Sequence, residues 1–195
     1  LEYVVTGDMF NKVREKILTG EIKRDVHSIV ISMGGLDQFD MTSSAVTGLI
    51  GLSEEWSIKI VIGPLHHNIE QLTKNIKELN CNVEIIKDPY HLYRVIAASN
   101  FGIFGSGVVC YEGIGLGSIC LNLSQSDFHR NRAKELEDLG ISIYAGDASR
   151  IEKGALCRLI LKLLKSGNIE TMREKGMNLV DGNGADRIIR TVISF

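Results

Sequence analysis

Short apolar runs alternate with helical segments through most of this chain of 195 residues, and this alternation limits the fold more than any other feature. Strands that are separated by one helix each form parallel sheets with right-handed crossovers. The pattern therefore predicts an α/β fold with a doubly wound, parallel, six-stranded, Rossmann-like sheet. The predicted strands are 28–33, 58–62, 82–86, 101–104, 118–121 and 141–144.

The segments between these strands have the apolar spacing of helices. The predicted helices are 41–52, 68–79, 89–98, 107–116 and 128–139, with 150–165, 169–177 and 185–193 forming a helical tail. Before the first strand, a further helix starts near Asp8 and ends at Gly20. We therefore divide the chain into an inter-domain connector with its helix, residues 1–25, and a Rossmann-like domain, residues 26–195. Because the chain begins without Met, we expect a fragment of a longer protein.

Two glycine turns follow the first and fourth predicted strands, at Gly34-Gly35 and at Gly105-Ser106-Gly107. Ligands of doubly wound sheets bind at the carboxyl ends of the strands, near the switch in strand order. Glycine lets the backbone approach a ligand closely, and the helix after the second turn directs its N–H groups at an anion. Glu112 lies in that helix, within reach of a ribose. The alternative is a tight connection followed by a solvated Glu112; the position of both turns favours a nucleotide site.

Other ligand classes lack their sequence signals. The first turn, GGLD, is not a dinucleotide fingerprint, and the chain has no Walker loop. A net charge of −2 without a basic stripe argues against nucleic acid. With no transmembrane run or signal peptide visible, we expect a cytoplasmic protein. The four cysteines look like buried thiols, and His66 and His67 like surface residues without carboxylates at ligand spacing, so we expect neither a metal nor a cofactor.

Three segments in this order resemble the C-terminal, nucleotide-binding half of GT-B fold enzymes. They are ISMGGLDQFDMTSSAVTGL, GSGVVCYEGIGLGSICLNL and LVDGNGADRIIRTV. The chain looks most like the UDP-sugar hydrolases of the pseudaminic acid pathway and their relatives in flagellin and spore-coat polysaccharide synthesis. The resemblance extends over residues 26–193 and implies a UDP or UDP-sugar ligand.

The resemblance also implies roles for single residues. Gly34 and Gly35 would let the first loop approach the diphosphate, and the turn Gly105, Ser106 and Gly107, with Val108 after it, would present backbone N–H groups to it. Glu112 would hold the ribose hydroxyls, and His129 would lie near the sugar or phosphate. Ile86 and Tyr90 would flank the uracil. Asp37 either contacts the ligand or caps the first helix of the domain, and the cap is favoured.

Two residues depart from the family pattern. Leu36 replaces a serine in the first loop, and Val109 replaces a Ser or Thr that precedes the ribose glutamate. Both changes leave room for a different nucleotide sugar.

The activity implied is the release of UDP and a free amino-sugar in nonulosonic acid or surface polysaccharide biosynthesis. In the family the histidine proposed to activate water lies in an N-terminal half, across a cleft, which this sequence does not contain. We therefore assign no catalytic residue here and expect the fragment to be inactive alone. A GT-B glycosyltransferase, or a degenerate binding or scaffold domain, remains an alternative.

Overall fold

The computed structural model describes residues 1–87 and 92–194 and contains one six-stranded, all-parallel sheet. Its strand order is β3-β2-β1-β4-β5-β6, so the predicted fold class is confirmed. The strands are β1 Asp25–Ser32, β2 Ser57–Val61, β3 Asn82–Ile86, β4 Ser99–Gly105, β5 Ile119–Ser124 and β6 Ile143–Asp147.

Helices connect successive strands and form the end of the described chain. They are α1 Asp8–Leu18, α2 Met41–Gly48, α3 Ile69–Ile76, α4 Leu92–Ala98, α5 Val108–Gly115, α6 Asp127–Asp138, α7 Ala155–Ser166, α8 Ile169–Leu179 and α9 Gly184–Ile193. Among the helices of the described residues, none has both the length and the apolar character needed to cross a membrane.

Both faces of the sheet are covered, and neighbouring residues of β1 belong to different cores. Ile29 and Ile31 pack in a cluster with α2, α3 and α7, whereas Val30 packs in a second cluster with α1, α4 and α5. A parallel strand that is buried on both faces reads as a continuous apolar run. This explains why the sequence predicted the central strands well.

Helix α1 is part of the second core. Its Phe10 is 0% exposed and Val13 is 2% exposed, and the ring of Phe10 meets that of Tyr93 edge-on at 6.2 Å. The segment predicted as a connector is thus packed against the same sheet as the residues that follow it.

Three arginines from distant parts of the chain meet the carboxyl end of α5. Arg14 donates to the carbonyl of Gly115, Arg24 to that of Leu116 and Arg173 to that of Gly117. The last carbonyls of a helix have no partner within the helix and carry its negative dipole end. The three guanidinium groups therefore satisfy and neutralise this end of α5.

Several predicted boundaries need correction. β1 begins at Asp25 because Asp25 pairs with Ser99, which the polar letters before Ser28 did not suggest. β5 continues to Ser124 rather than ending at Leu121. Helix α2 ends at Gly48 instead of 52, and Gly51 follows with φ +106°.

The start of α7 also differs, because residues 148–150 form a 3-10 turn and Gly154 has φ +74° ahead of the helix. The predicted helix start at Pro89 lies outside the described residues, and the described part of α4 begins at Leu92.

The switch in strand order lies between β1 and β4. The chain runs outward from β1 through β2 to β3, returns to β4 on the other side of β1, and continues to β6. The loops after β1 and β4 therefore diverge to opposite faces and leave a crevice at the carboxyl ends of these strands.

Candidate functional site

A cavity of about 280 Å³ lies at the switch point, where β1, β4 and β5 end. Among the described residues its lining holds glycines, small polar residues, apolar side chains and one histidine, but no carboxylate, lysine or arginine. The lining residues are Ser32, Met33, Gly34, Met41, Gly105, Ser106, Gly107, Val108, Val109, Leu123, Gln125 and His129.

The amino end of α5 opens onto this cavity without a side-chain cap. Gly107 precedes the helix in an extended conformation, with φ −100° and ψ −159°. The N–H of Cys110 bonds to the Gly107 carbonyl at 3.2 Å, and the Ser106 hydroxyl donates to the carbonyl of Leu123 at 3.3 Å. The N–H groups at the very start of the helix therefore remain the donors that face the cavity, and they attract an anion.

The other two helices that border the cavity have capped amino ends. Asp37 accepts hydrogen bonds from the N–H groups of Met41 at 2.8 Å and Thr42 at 3.0 Å, at the start of α2. At the start of α6, Ser126 accepts from the N–H of His129 at 3.4 Å, and its hydroxyl lies 2.8 Å from His129 Nδ1. Of these three helices, α5 is the one whose first N–H groups have no side-chain acceptor among the described residues.

The turn before α5 leaves space for a ligand to approach the backbone closely. A Cβ placed on Gly107 would meet no atom within 4 Å, and one on Gly105 would meet only the methyl of Met41, at 3.8 Å. Gly34 has φ +84°, a conformation that glycine adopts at little cost. The glycines thus keep both loops open toward the cavity.

Glu112 is buried just behind the first turn of α5, on the same helix face as Val108. It is 8% exposed, and its Oε1 accepts a hydrogen bond from the Tyr93 hydroxyl at 2.9 Å. Burial raises the pKa of Glu112, and the hydrogen bond from Tyr93 opposes this rise. Burial, followed by the neighbouring carboxylate, raises the pKa of Tyr93 to about 12. The alternative of a solvated Glu112 is therefore wrong.

The structure brings together six of the predicted site residues around the cavity. These are Gly34, Gly105, Ser106, Gly107, Val108 and His129.

The other predicted site residues lie outside the lining. Gly35 packs on Gly63, because a Cβ added to Gly63 would lie 2.3 Å from the carbonyl oxygen of Gly35. Ile86 accepts a backbone hydrogen bond from Ile62 at 3.0 Å, and Asp37 caps α2, as the favoured interpretation predicted. Glu112 lies behind the lining, and Tyr90 is outside the described residues.

Sequence reasoning missed other lining residues. They are Ser32, Met33, Met41, Leu123 and Gln125, and Val109 was noted only as a departure from a family pattern. A signal existed for Gln125, because it is the first residue after β5. Ending that strand at Leu121 placed the strand end, and hence the site, too early.

The prediction that His66 is a surface residue is also wrong. Its side chain is only 3% exposed, and its Nδ1 lies 3.6 Å from Oδ2 of Asp37. His67 is exposed, as predicted. The loop after β2 therefore meets the loop after β1 through this histidine and aspartate.

Comparison with solved structures identifies the fold as that of a GT-B Rossmann-like half. MurG of Acinetobacter baumannii matches with a TM-score of 0.69 and 16% identity over 86% of this chain and 52% of its own. UDP-GlcNAc 2-epimerase of Neisseria meningitidis, bound to UDP-GlcNAc, matches with a TM-score of 0.59 and 17% identity over 96% of this chain and 50% of its own. No family model matches the sequence.

Among curated proteins, the spore coat polysaccharide biosynthesis protein SpsG of Bacillus subtilis is a distant homologue. It is 23% identical over 190 residues, which are 96% of this chain and 55% of SpsG. The chain thus spans about half the length of SpsG and of the two matched structures. This similarity links the chain to one polysaccharide biosynthesis protein and leaves the reaction of the chain itself open.

Proposed function

We propose that the cavity binds the diphosphate of a nucleotide sugar, with UDP-sugars as the expected ligands. The observation that carries this proposal is the uncapped amino end of α5 at the switch point, next to a cavity without acidic side chains among its described residues. Backbone N–H groups and the helix dipole would hold the phosphates, and His129 would add a further donor. The likeness to an epimerase bound to UDP-GlcNAc supports the choice of nucleotide.

Glu112 is the proposed ribose ligand. It follows Val108 by one turn on the same face of α5, and a carboxylate there accepts hydrogen bonds from a sugar diol. The bond from Tyr93 at 2.9 Å holds one of its oxygens in place.

For the reaction, we propose hydrolysis of a UDP-sugar in nonulosonic acid or surface polysaccharide biosynthesis. Water would attack the anomeric carbon, the bond to the diphosphate oxygen would break, and UDP would leave with the electron pair. The α5 donors would stabilise the negative charge on this leaving group. The described lining offers no carboxylate as a base, so we propose that an N-terminal half supplies it across a cleft.

Exposed apolar side chains beside the cavity support this further half. Leu36 and Phe39, in the loop after β1, are 44% and 60% exposed, and Val108 and Phe128, at the starts of α5 and α6, are 61% and 68% exposed. Exposed apolar groups that surround a cavity are typical of a surface that another molecule or domain covers.

The second candidate function is glycosyl transfer to an acceptor other than water, favoured by the likeness to the calicheamicin glycosyltransferase CalG4. The two reactions differ in their products. A protein that contains both halves should release free sugar from a UDP-sugar without acceptor if it is a hydrolase. If sugar appears only on an added acceptor, transfer is the activity.

The third candidate is a degenerate domain that binds weakly or not at all. Leu36 and Val109 favour it, since one side chain faces solvent where the family has a hydroxyl and the other lines the cavity.

Calorimetric titration with UDP tests the site directly. We expect Gly107→Ala to weaken UDP binding about tenfold, roughly 1.4 kcal/mol, because its Cβ projects where the phosphates approach. We expect Glu112→Gln to weaken binding by a similar factor through the weaker bond to the ribose. Glu174→Gln changes an exposed glutamate of α8 outside the cavity lining and should bind UDP like the wild type.

Either of two results would count against the proposed site. One is UDP binding that is equal in the wild type, Gly107→Ala and Glu112→Gln. The other is the absence of binding at millimolar UDP in the wild type, which would favour the degenerate domain.

A further inference from the structure

Three potential metal ligands converge where the loops after β1 and β2 meet. Asp37 and Asp40 come from the first loop and His66 from the second. Each offers one ligand atom, and these atoms all lie within 4.8 Å of one another. None of the three residues lines the cavity described above.

Two of the three side chains have buried atoms without a hydrogen-bond partner in the described part of the chain. They are Oδ1 of Asp40 and Nε2 of His66. The His66 side chain is 97% buried, since 3% of it is exposed, and its closest charged neighbour is Asp37 Oδ2 at 3.6 Å from Nδ1. Buried polar atoms are rarely left unpaired, because removing them from water without a partner is unfavourable. The cluster thus contains two buried polar atoms that the described contacts leave without a partner.

Asp37 can serve two partners at once. Its Oδ1 and Oδ2 each accept one backbone N–H at the start of α2, at 2.8 and 3.0 Å. An ionised carboxylate has about four lone-pair sites, so each oxygen keeps one for a cation. The same bonds fix the orientation of the carboxylate, as outer hydrogen bonds commonly do for metal ligands.

We propose that Asp37, Asp40 and His66 bind a divalent transition-metal ion that ties the loop after β1 to the loop after β2. Two carboxylates and an imidazole form a mixed oxygen and nitrogen set, which suits Zn²⁺ or Mn²⁺ better than Ca²⁺. Three protein ligands leave coordination positions for water. The ion would also give the unpaired Oδ1 of Asp40 a partner, which a simple ion pair between His66 and Asp37 does not.

The test is titration of the whole chain, after removal of metals with a chelator, by ZnCl₂ in a calorimeter and by MnCl₂ in an electron paramagnetic resonance assay of free Mn²⁺. We expect one ion per chain for at least one of the two metals. His66→Ala should weaken this binding at least tenfold. His67→Ala changes the exposed neighbouring histidine and should bind within twofold of the wild type.

Asp40→Asn is a second variant, chosen because it should leave the fold of the loop intact. Asp40 has φ +51°, and asparagine accepts this left-handed conformation readily, so the loop should keep its shape while the ligand charge is lost. We expect Asp40→Asn to bind the metal ion at least tenfold more weakly than the wild type. Asp138→Asn changes an exposed aspartate of α6 and should leave metal binding unchanged. Binding that is unchanged in both His66→Ala and Asp40→Asn, or no binding of either ion to the wild type, would overturn the proposal. These titrations contain no nucleotide, so their outcome is independent of the proposed function.

Discussion

At the scale of single residues, Glu112 lowers the stability of the fold and also has a proposed role in binding. It is 8% exposed and accepts one described hydrogen bond, from a tyrosine and not from a cation. Burial disfavours the charged form of a carboxyl group and raises its pKa, as the structure shows for Glu112. An ionised Glu112 therefore lowers the free energy of unfolding at neutral pH.

We expect Glu112→Gln to be more stable than the wild type at pH 7, by an amount near the 1 kcal/mol typical of single substitutions. Because folding raises the pKa of Glu112, its contribution to stability is fully present below the unfolded pKa and is lost as pH rises through the folded pKa. The difference between variant and wild type should thus grow as pH increases from about 4 to 7. Urea unfolding over this pH range measures it.

The matched control is Glu174→Gln on α8, an exposed glutamate. Its stability difference from the wild type should stay nearly constant with pH. A destabilised Glu112→Gln at pH 7 would show that the ionised carboxylate is better satisfied than its described contacts indicate.

The sequence predicted those cavity-lining residues that directly follow a strand. Gly34 and Gly105 to Val108 were found in this way, because parallel strands bring such residues to one edge. The contact between Asp37 and His66 was not, since it joins two loops whose separation in sequence carries no regular period.

At the scale of elements, α5 packs against the sheet through Gly113, where there is no room for a side chain. Gly113 faces Phe104 of β4 and Cys120 of β5, and a Cβ added to Gly113 would lie 2.4 Å from Phe104 Cε2 and 3.0 Å from Cys120 Sγ. The missing side chain lets the helix, and with it the donors at its amino end, sit against the ends of the strands.

We expect Gly113→Ala to lower the free energy of unfolding by up to about 2 kcal/mol, because an overpacking cost of about 1–3 kcal/mol outweighs the gain in helix propensity of about 1 kcal/mol. Phe104→Leu removes the ring that clashes, so the double variant should lose less than the sum of the two single variants. Thermal or urea unfolding of the four proteins checks this. Additive losses would mean that the helix shifts rather than meeting Phe104.

Element ends were harder to predict than elements. The apolar runs of β1 to β5 were clear because each is flanked by helices, but the last residues of β5 are polar. Asn122 donates to Ser142 at 3.0 Å and Ser124 bonds the Tyr144 hydroxyl at 3.0 Å, so both side chains find a partner inside the fold, although Oδ1 of Asn122 has none among the described residues. Sequence alone reads such residues as loop.

At the scale of the whole molecule, the two cores share one sheet and should unfold together. Trp56, the one tryptophan of the chain, is 2% exposed in the first core, whereas circular dichroism reports on the helices of both cores. We expect tryptophan fluorescence and far-ultraviolet circular dichroism to give coincident urea transitions. A loss of helical signal before the change in tryptophan fluorescence would show that some helices unfold before the first core does.

The arginines at the carboxyl end of α5 bear on the order in which the molecule assembles. Arg14, Arg24 and Arg173 arrive from near both ends of the chain, so the end of α5 is fully bonded only after both have docked. Contacts between residues far apart in sequence form slowly, because a long loop must close before they are made. The helix that opens onto the cavity should therefore be among the last parts of the protein to become resistant to amide hydrogen exchange during refolding.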